Sequence, residues 1–195
     1  MTSATELILA SSSVHRIALM ERLRLPFRSH PPNIDESIMC DETPAALVKR
    51  LALTKALEVA KSYPDALVIG SDEIAAVNGQ ILNKPEDHAG AVSQLRMMSG
   101  QVVDFLTGVC LVNSRTGRRQ LDMVTVQVHF RILTDAGIHR YLDWDKPYDC
   151  AGSFKSEAAG ITLVHSISSD DNTALLGLPL ISLQRMLRNE GYVIP

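Results

Sequence analysis

The chain has 195 residues, 46% of them hydrophobic, and its formal net charge at pH 7 is −3. This length and composition can build one sizeable core and exclude a largely disordered chain. The slight acidic excess argues against a dedicated nucleic-acid-binding protein, which usually carries a basic excess. A small anionic ligand remains possible because it needs only a few well-placed cations. We therefore expect a single domain over residues 1–195 that binds no nucleic acid.

The cysteines give no sign of a structural cross-link. Cys40, Cys110 and Cys150 are odd in number and far apart, and the sequence contains no CxxC pair. Neither a disulfide framework nor a zinc cluster is therefore predicted, and the thiols should be buried or unremarkable. No apolar stretch has the length of a membrane span, and the first residues do not resemble a signal peptide. These features predict a cytoplasmic protein that binds no membrane.

The first half of the chain alternates between apolar strands and helices with clear starts. Residues 6–10 form a short apolar run that predicts a buried strand, and the serines that follow cap a helix over residues 14–23. A second strand fits residues 25–30, and the polar residues 33–42 are expected to form a loop. A threonine followed by a proline then starts a helix predicted over residues 43–62.

The second half adds a hairpin and two long strands. Residues 66–69 predict a central strand that ends at residues 70–73, and the Asn-Gly pair at residues 78–79 favours a tight hairpin between short strands. Long paired strands and three helices complete the prediction, at residues 102–112 and 123–132 for the strands and 87–98, 134–142 and 179–189 for the helices. Such a mixture predicts an α/β (mixed α+β) fold with a mixed sheet.

A serine-rich turn before the first helix predicts an anion site. Ser11 and Ser13 place hydroxyl groups beside the free N–H groups of the helix start, whose dipole also attracts anions. His15 and Arg16 follow in the first turn, where cations are usually disfavoured. A bound phosphate would explain Arg16, whereas a simple serine cap beside a solvated arginine is the alternative.

Lys55 is predicted to lie on the apolar face of the second helix. Steps of four, three and four residues connect Val48, Ala52, Lys55 and Val59, so these residues share one face. A lysine on an apolar face either points into a cleft or extends along the surface to reach water. Both possibilities remain open from spacing alone.

Two pairs of adjacent acids could supply catalytic or metal-binding carboxylates. Asp72 and Glu73 follow the strand predicted at residues 66–69, and ligands of open α/β sheets gather at the carboxyl ends of strands. Asp35 and Glu36 lie in the predicted loop. Such carboxylates could activate water or hold Mg²⁺, which prefers oxygen ligands. Solvated loop acids are the alternative for each pair.

Two further segments carry lysines that suit phosphate. Lys84 follows the predicted hairpin and precedes a proline, while Lys155 and Glu157 lie within residues 152–157. Lysine acts as a point charge for phosphate, and a glutamate can accept hydrogen bonds from the edge of a base. A surface turn is the alternative in both segments.

Together, these motifs resemble the Maf family over nearly the whole chain. In order along the sequence they are Leu7-Ile8-Leu9-Ala10-Ser11-Ser12-Ser13, Asp35-Glu36, Lys55-Ala56, Gly70-Ser71-Asp72, Asn78-Gly79 with Lys84-Pro85, Gly152-Ser153-Phe154-Lys155-Ser156-Glu157, and Gly177-Leu178-Pro179-Leu180. The resemblance implies a mixed sheet flanked by helices, as in inosine triphosphatase, with two lobes around a central cleft. It also implies a homodimer that hydrolyses a nucleoside triphosphate to the monophosphate and pyrophosphate.

The resemblance further implies a role for each candidate residue. Asp72 corresponds to the general base of the family, and Glu36 would help Asp72 to hold Mg²⁺ or Mn²⁺. The catalytic set implied in this way is Asp72, Glu36, Lys55 and Lys84. The substrate-binding set is Ser11, Ser13, Arg16 and Lys155. This chemistry fits the residue types, because the metal and the cations would spread the charge of a transferring phosphoryl group.

The segment around Glu157 resembles the branch of the family that prefers 7-methyl-GTP. The branch acting on dTTP and UTP typically carries glutamine at that position, and a glutamate can accept hydrogen bonds from the N1–H and amino groups of guanine. The implied specificity positions are His15, Glu73 and Glu157. A Maf enzyme that prefers dTTP or UTP, and a nucleotide-binding regulator of septum formation with little catalysis, are the alternatives.

Several residues depart from the pattern of the family. Val14 stands in place of a proline, and Ile17 in place of a second arginine. His15 replaces the tryptophan that is typical of the 7-methyl-GTP branch, and Glu73 replaces a glutamine. A histidine stacks less well than a tryptophan on a cationic base. The departures therefore concern the choice of nucleotide more than the type of reaction.

Overall fold

The computed structural model describes residues 5–195, which form a mixed sheet covered by helices. The sheet has seven strands: β1 (Glu6–Leu9), β2 (Arg28–Ser29), β3 (Ala66–Val77), β4 (Gln80–Leu82), β5 (Val102–Asn113), β6 (Arg119–Phe130) and β7 (Val164–Ser168). Their order is β2-β1-β3-β5-β6-β7, and β4 pairs with the last residues of β3. Strand β1 is parallel to β2 and β3, and the other pairs are antiparallel. The predicted mixed α/β fold is confirmed.

The helices begin within one residue of their predicted starts, and capping residues predicted the first two of those starts. They are α1 (Val14–Glu21), α2 (Pro44–Ala60), α3 (His88–Met98), α4 (Asp135–Asp145) and α5 (Leu180–Asn189). The Ser13 hydroxyl accepts a hydrogen bond from the backbone N–H of Arg16 at the start of α1, and the Thr43 hydroxyl caps α2 in the same way. None of the helices in this part of the chain combines the length and apolarity that a bilayer-crossing segment needs.

Helix α2 packs directly on β3 and β5 because both strands carry a glycine at the contact. A Cβ atom added to Gly70 would lie 2.1 Å from the carbonyl oxygen of Ala52, and one added to Gly108 would lie 2.4 Å from that of Val48. No side chain fits such gaps. The close approach brings the predicted apolar face of α2, including Lys55, against the centre of the sheet.

The strand predicted to end at residues 70–73 continues without a break. Strand β5 pairs with β3 from Leu67 to Ala76, and this pairing keeps the intervening residues extended. The expectation that Asp72 and Glu73 follow the carboxyl end of their strand is therefore wrong. It is β1 that ends here, opposite Ile69, while β4 pairs with β3 only from Ala75 onward. The acids lie at the resulting gap along one edge of β3.

Other boundaries differ because tertiary pairing overrides local pattern. Strand β6 starts four residues before the predicted 123–132 and ends at Phe130, since its polar first residues pair with the end of β5. Strand β2 retains only Arg28–Ser29 of the predicted 25–30. Strand β7 was not predicted, and its mostly exposed residues give little apolar signal.

Replacing Gly70 with alanine should destabilise the protein, because the new methyl group would overlap the backbone of α2. We expect the free energy of unfolding, measured in urea, to decrease by an amount near the upper end of the ~1–3 kcal/mol that overpacking typically costs. Gly137→Ala in α4 is the matched control, since its new methyl group would meet only the side chain of Thr134, at 3.2 Å. Equal stabilities for the two variants would contradict the close-packing explanation.

Candidate active site

A cleft of about 770 Å³ opens at the gap along β3. It gathers most of the residues that the sequence predicted, namely Ser11, Ser13, His15, Arg16, Glu36, Lys55, Asp72, Glu73 and Lys84. Glu157 lines an adjoining cavity of about 150 Å³ that shares His15, Arg16, Glu73 and Lys84 with the cleft. Lys155 is among the lining residues of neither cavity. Segments from distant parts of the chain therefore meet at this one place.

Lys55 joins the two carboxylates that were predicted to act together. Its Nζ lies 2.6 Å from Oδ1 of Asp72 and 2.8 Å from Oε1 of Glu36. Lys55 is only 5% exposed and Asp72 only 6%, whereas the side chain of Glu36 is largely exposed on its loop. The side chain of Lys55 therefore points into the cleft and does not extend along the surface to reach water.

Neighbouring residues of β3 face opposite sides of the sheet, as in any strand. Asp72 faces α2, on the same side as Gly70, and meets Lys55 there. Ser71 and Glu73 face the other side, where they approach Gly177 in the turn before α5. The cleft therefore wraps around the free edge of β3 and takes one acid from each face.

Burial in the cleft wall changes the protonation of Glu73. Glu73 is half-buried, and its carboxyl group lies in the protein wall of the cleft. This burial raises the pKa of Glu73 to about 8; the charge of Arg16 opposes the shift, and the nearby Asp72 adds to it. At neutral pH the carboxyl group is therefore largely protonated, so it can donate a hydrogen bond as well as accept one.

Arg16 has a protein partner that sequence reasoning missed. Its Nε donates a hydrogen bond of 2.8 Å to the carbonyl oxygen of Gly177, a residue 161 positions away. The hydroxyl of Ser71 lies 2.9 Å from the same oxygen. The motif Gly177-Leu178-Pro179-Leu180 was noticed in the sequence, but no local signal could show which side chains its backbone contacts.

The serine turn keeps hydrogen-bonding capacity for an anion. Oγ of Ser11 accepts a hydrogen bond from the backbone N–H of Ser13, and Oγ of Ser13 accepts one from that of Arg16. Each hydroxyl acts only as an acceptor in these contacts and still has its proton to donate. Lys84 lies exposed among the lining residues that follow β4. The cleft thus offers hydroxyl groups and cations from different segments.

The predicted specificity residues border the smaller cavity. Nδ1 of His15 lies 3.5 Å from Oε1 of Glu157. The segment that carries Glu157 is fixed by Tyr141, whose hydroxyl donates to the carbonyl of Ser153 and accepts from the backbone N–H of Lys155. Glu157 is thus held close to His15 although the two residues are distant in sequence.

The thiols have no partner for a disulfide and little reactivity where they are buried. Cys40, Cys110 and Cys150 are all free. Burial raises the pKa of Cys110 and of Cys150 to about 12, so at neutral pH neither carries an appreciable fraction of thiolate. Since the thiolate is the nucleophile, these two cysteines are unsuited to catalysis.

The carboxylates of the cleft fit a metal ion that binds together with a substrate. Among residues 5–195 no group of three or more His, Cys, Asp or Glu side chains is placed to hold a metal. Glu36 and Asp72 nevertheless converge on one point, the Nζ of Lys55. Mg²⁺ is commonly held by one or two carboxylates, with water and substrate phosphates completing its shell. The residues present match that mode of binding.

Comparison with known proteins identifies the family. The family model described as Maf-like protein matches residues 6–190, so the chain belongs to the Maf family. A protein of Aromatoleum aromaticum named 7-methyl-GTP pyrophosphatase is 52% identical over 98% of both chains. Proteins of the same name from Pseudomonas savastanoi pv. phaseolicola and Pseudomonas aeruginosa are 53% and 50% identical, over 97% of this chain and 98% and 99% of theirs. The resemblance seen in the sequence is confirmed.

Proposed function

We propose that this protein is a nucleotide pyrophosphatase that hydrolyses 7-methyl-GTP to 7-methyl-GMP and pyrophosphate. The observation that carries the proposal is the placement of Lys55 between Asp72 and Glu36, in a cleft that also contains Arg16 and Lys84. Such a cleft combines a carboxylate for activating water with cations for a polyphosphate. The relatives named 7-methyl-GTP pyrophosphatase support the same substrate.

In the proposed reaction, Asp72 acts as the general base. A water oxygen adds to the α-phosphorus, the bond from that phosphorus to the α–β bridging oxygen breaks, and pyrophosphate leaves. The proton of the water passes to the carboxylate of Asp72. Oδ1 of Asp72 is engaged by Lys55, and within residues 5–195 no protein hydrogen bond uses Oδ2. We therefore propose Oδ2 as the oxygen that receives this proton.

The cations and the serine turn would stabilise the polyphosphate. Lys55 and Arg16 hold positive charge at the cleft, and the hydroxyl groups of Ser11 and Ser13 adjoin the N-terminus of α1. Charge spread over the phosphoryl oxygens in the transition state is stabilised by such pre-organised donors. Lys84 adds a further charge at the rim. Lys155 lines neither cavity, so its contact with the substrate is proposed from the family resemblance alone.

The smaller cavity is the proposed site for the base. Its lining includes the carboxyl groups of Glu73 and Glu157. A 7-methylguanine base carries positive charge, so the carboxylate of Glu157 favours it over an uncharged base by simple electrostatics. Glu157 can also accept hydrogen bonds from the N1–H and amino groups of guanine, which pyrimidines do not offer in the same arrangement.

Mg²⁺, or Mn²⁺ in its place, is the proposed cofactor. Glu36 and Asp72 would hold it together with the phosphates of the nucleotide. When bound, the metal would neutralise part of the charge of the phosphates. We also propose that the protein acts on free nucleotides in the cytoplasm as a homodimer. The support for this last proposal is the family resemblance and the slightly acidic composition.

Replacing Asp72 with asparagine should abolish turnover while leaving the fold and nucleotide binding largely intact. Asparagine has nearly the same shape but cannot take the proton, and general-base catalysis contributes at least ~100-fold. The measurement is pyrophosphate release from 7-methyl-GTP. The control is Asp104→Asn, which should keep the wild-type rate. Asp104 lies on β5 and accepts a hydrogen bond from Gln127 outside the cleft. An Asp72→Asn enzyme that retains more than about a tenth of the wild-type rate would remove Asp72 from this role.

Replacing Glu157 with glutamine should shift preference toward dTTP and UTP, because the amide no longer attracts a cationic base. The test compares kcat/KM for 7-methyl-GTP, GTP, dTTP and UTP between the wild type and Glu157→Gln. Unchanged relative values would defeat this assignment of Glu157. A wild-type protein that binds these nucleotides but hydrolyses none would instead favour a nucleotide-binding regulator.

Removal of the divalent cation should stop the reaction and also weaken nucleotide binding. Two carboxylates alone make a weak site, so saturable Mg²⁺ binding should appear by calorimetry only when the nucleotide is present. The assay uses a 7-methyl-GTP analogue with a methylene group in place of the α–β bridging oxygen. Turnover that persists after treatment with EDTA, or tight Mg²⁺ binding without nucleotide, would be inconsistent with the proposed cofactor role.

A further inference from the structure

The buried hydroxyl of Ser71 connects the centre of the sheet to Arg16 through a single carbonyl group. We propose that Ser71 is a positioning residue, which fixes the carbonyl of Gly177 and through it the guanidinium of Arg16. This inference rests on the proposed function, since it concerns the same nucleotide site. It adds a residue that touches neither the polyphosphate nor the attacking water.

The contacts around Ser71 are fully shielded from water. Ser71 is 0% exposed, and its Oγ lies 2.7 Å from the carbonyl oxygen of Gly108 and 2.9 Å from that of Gly177. The oxygen of Gly177 also accepts the 2.8 Å hydrogen bond from Nε of Arg16. The single hydroxyl proton of Ser71 is shared between the two carbonyl oxygens. The oxygen of Gly177 has two lone pairs, so it can accept from Ser71 and from Arg16 together. Movement of this carbonyl would leave buried polar groups without partners.

The turn that presents this carbonyl has little freedom to move. Gly177 has a φ of 95°, in the left-handed region of backbone conformation that favours glycine. A Cβ atom added there would lie 3.0 Å from Oε2 of Glu73 and 3.1 Å from Nε of Arg16. The turn is anchored a second time by Thr107, whose hydroxyl donates to the carbonyl of Ala174 at 2.8 Å. Thr107 thus holds the start of the turn, three residues before the carbonyl that Arg16 contacts, whereas Ser71 holds that carbonyl itself.

The link matters for binding because a free arginine side chain has much conformational freedom to lose. The protein hydrogen bond of Arg16 uses Nε alone, and no other donor of its guanidinium has a partner within residues 5–195. Its terminal nitrogens therefore remain for an anion in the cleft. Holding Nε in advance reduces the cost of ordering the side chain when the nucleotide binds.

The first part of the test removes each anchoring hydroxyl in turn. Ser71→Ala deletes the hydrogen bond to Gly177, and Thr107→Val deletes the equally buried one to Ala174, so both should lower stability toward urea to a similar extent.

The two variants should differ in activity. We expect Ser71→Ala to lower kcat/KM for 7-methyl-GTP about tenfold, chiefly through KM, which corresponds to about 1.4 kcal/mol. Thr107→Val should stay within about twofold of the wild type, a free-energy change of less than 0.5 kcal/mol by the same relation. An equal loss in both variants would show a merely structural effect and overturn the inference.

The second part asks whether Ser71 acts through Arg16. Arg16→Ala and the double variant Ser71→Ala/Arg16→Ala complete a double-mutant cycle. If Ser71 works by holding Arg16, adding Ser71→Ala to Arg16→Ala should change kcat/KM by less than about twofold. The full tenfold loss in the background without Arg16 would overturn the proposal.

The same cycle is measured as Kd for the methylene-bridged analogue of 7-methyl-GTP. This measurement separates the two proposals. A wild-type protein that binds the analogue but hydrolyses nothing would contradict the proposed activity, while non-additive Kd values would still support the role of Ser71. Additive Kd values, or a wild type that does not bind the analogue, would overturn that role.

Discussion

The buried ion pair between Lys55 and Asp72 can form only because helix α2 lies directly against strand β3. A lysine on a helix and an aspartate on a strand meet at 2.6 Å because Gly70, two residues before Asp72, leaves no side chain between the two elements. The same contact draws in Glu36 from its loop. Close packing, ion pairing and the convergence of the acids are therefore parts of one constraint.

The free edge of β3 gives the cleft its two chemical environments. On the side of α2, Asp72 is paired with a buried cation, and we propose that it acts on water. On the other side, burial raises the pKa of Glu73 to about 8, and its neighbour Ser71 anchors the turn that holds Arg16. One strand therefore carries the proposed general base on one face and the proposed selection and positioning groups on the other.

The sequence predicted the parts of this site that depend on local spacing. The serine turn, the caps of α1 and α2 and the apolar face that contains Lys55 follow from helix periodicity and capping chemistry. The end of β3 could not be predicted, because the pairing with β5 that extends it is absent from any short window. The link between Ser71 and Gly177 spans 106 positions. Neither residue type nor spacing marks such a contact, and for the same reason the position of Lys155 outside the cleft could not be foreseen.

The alternation of side chains along β3 limits how this strand can change during evolution. Substitution at Glu73 alters one face and leaves Asp72 with Lys55, so under the proposed roles nucleotide preference and hydrolysis can diverge independently. An insertion or deletion of one residue before Asp72 would exchange the two faces. It would turn the base away from Lys55 and bring a charged group against the turn before α5. Related enzymes with different substrates should therefore differ here by replacement of single residues, with the length of the strand unchanged.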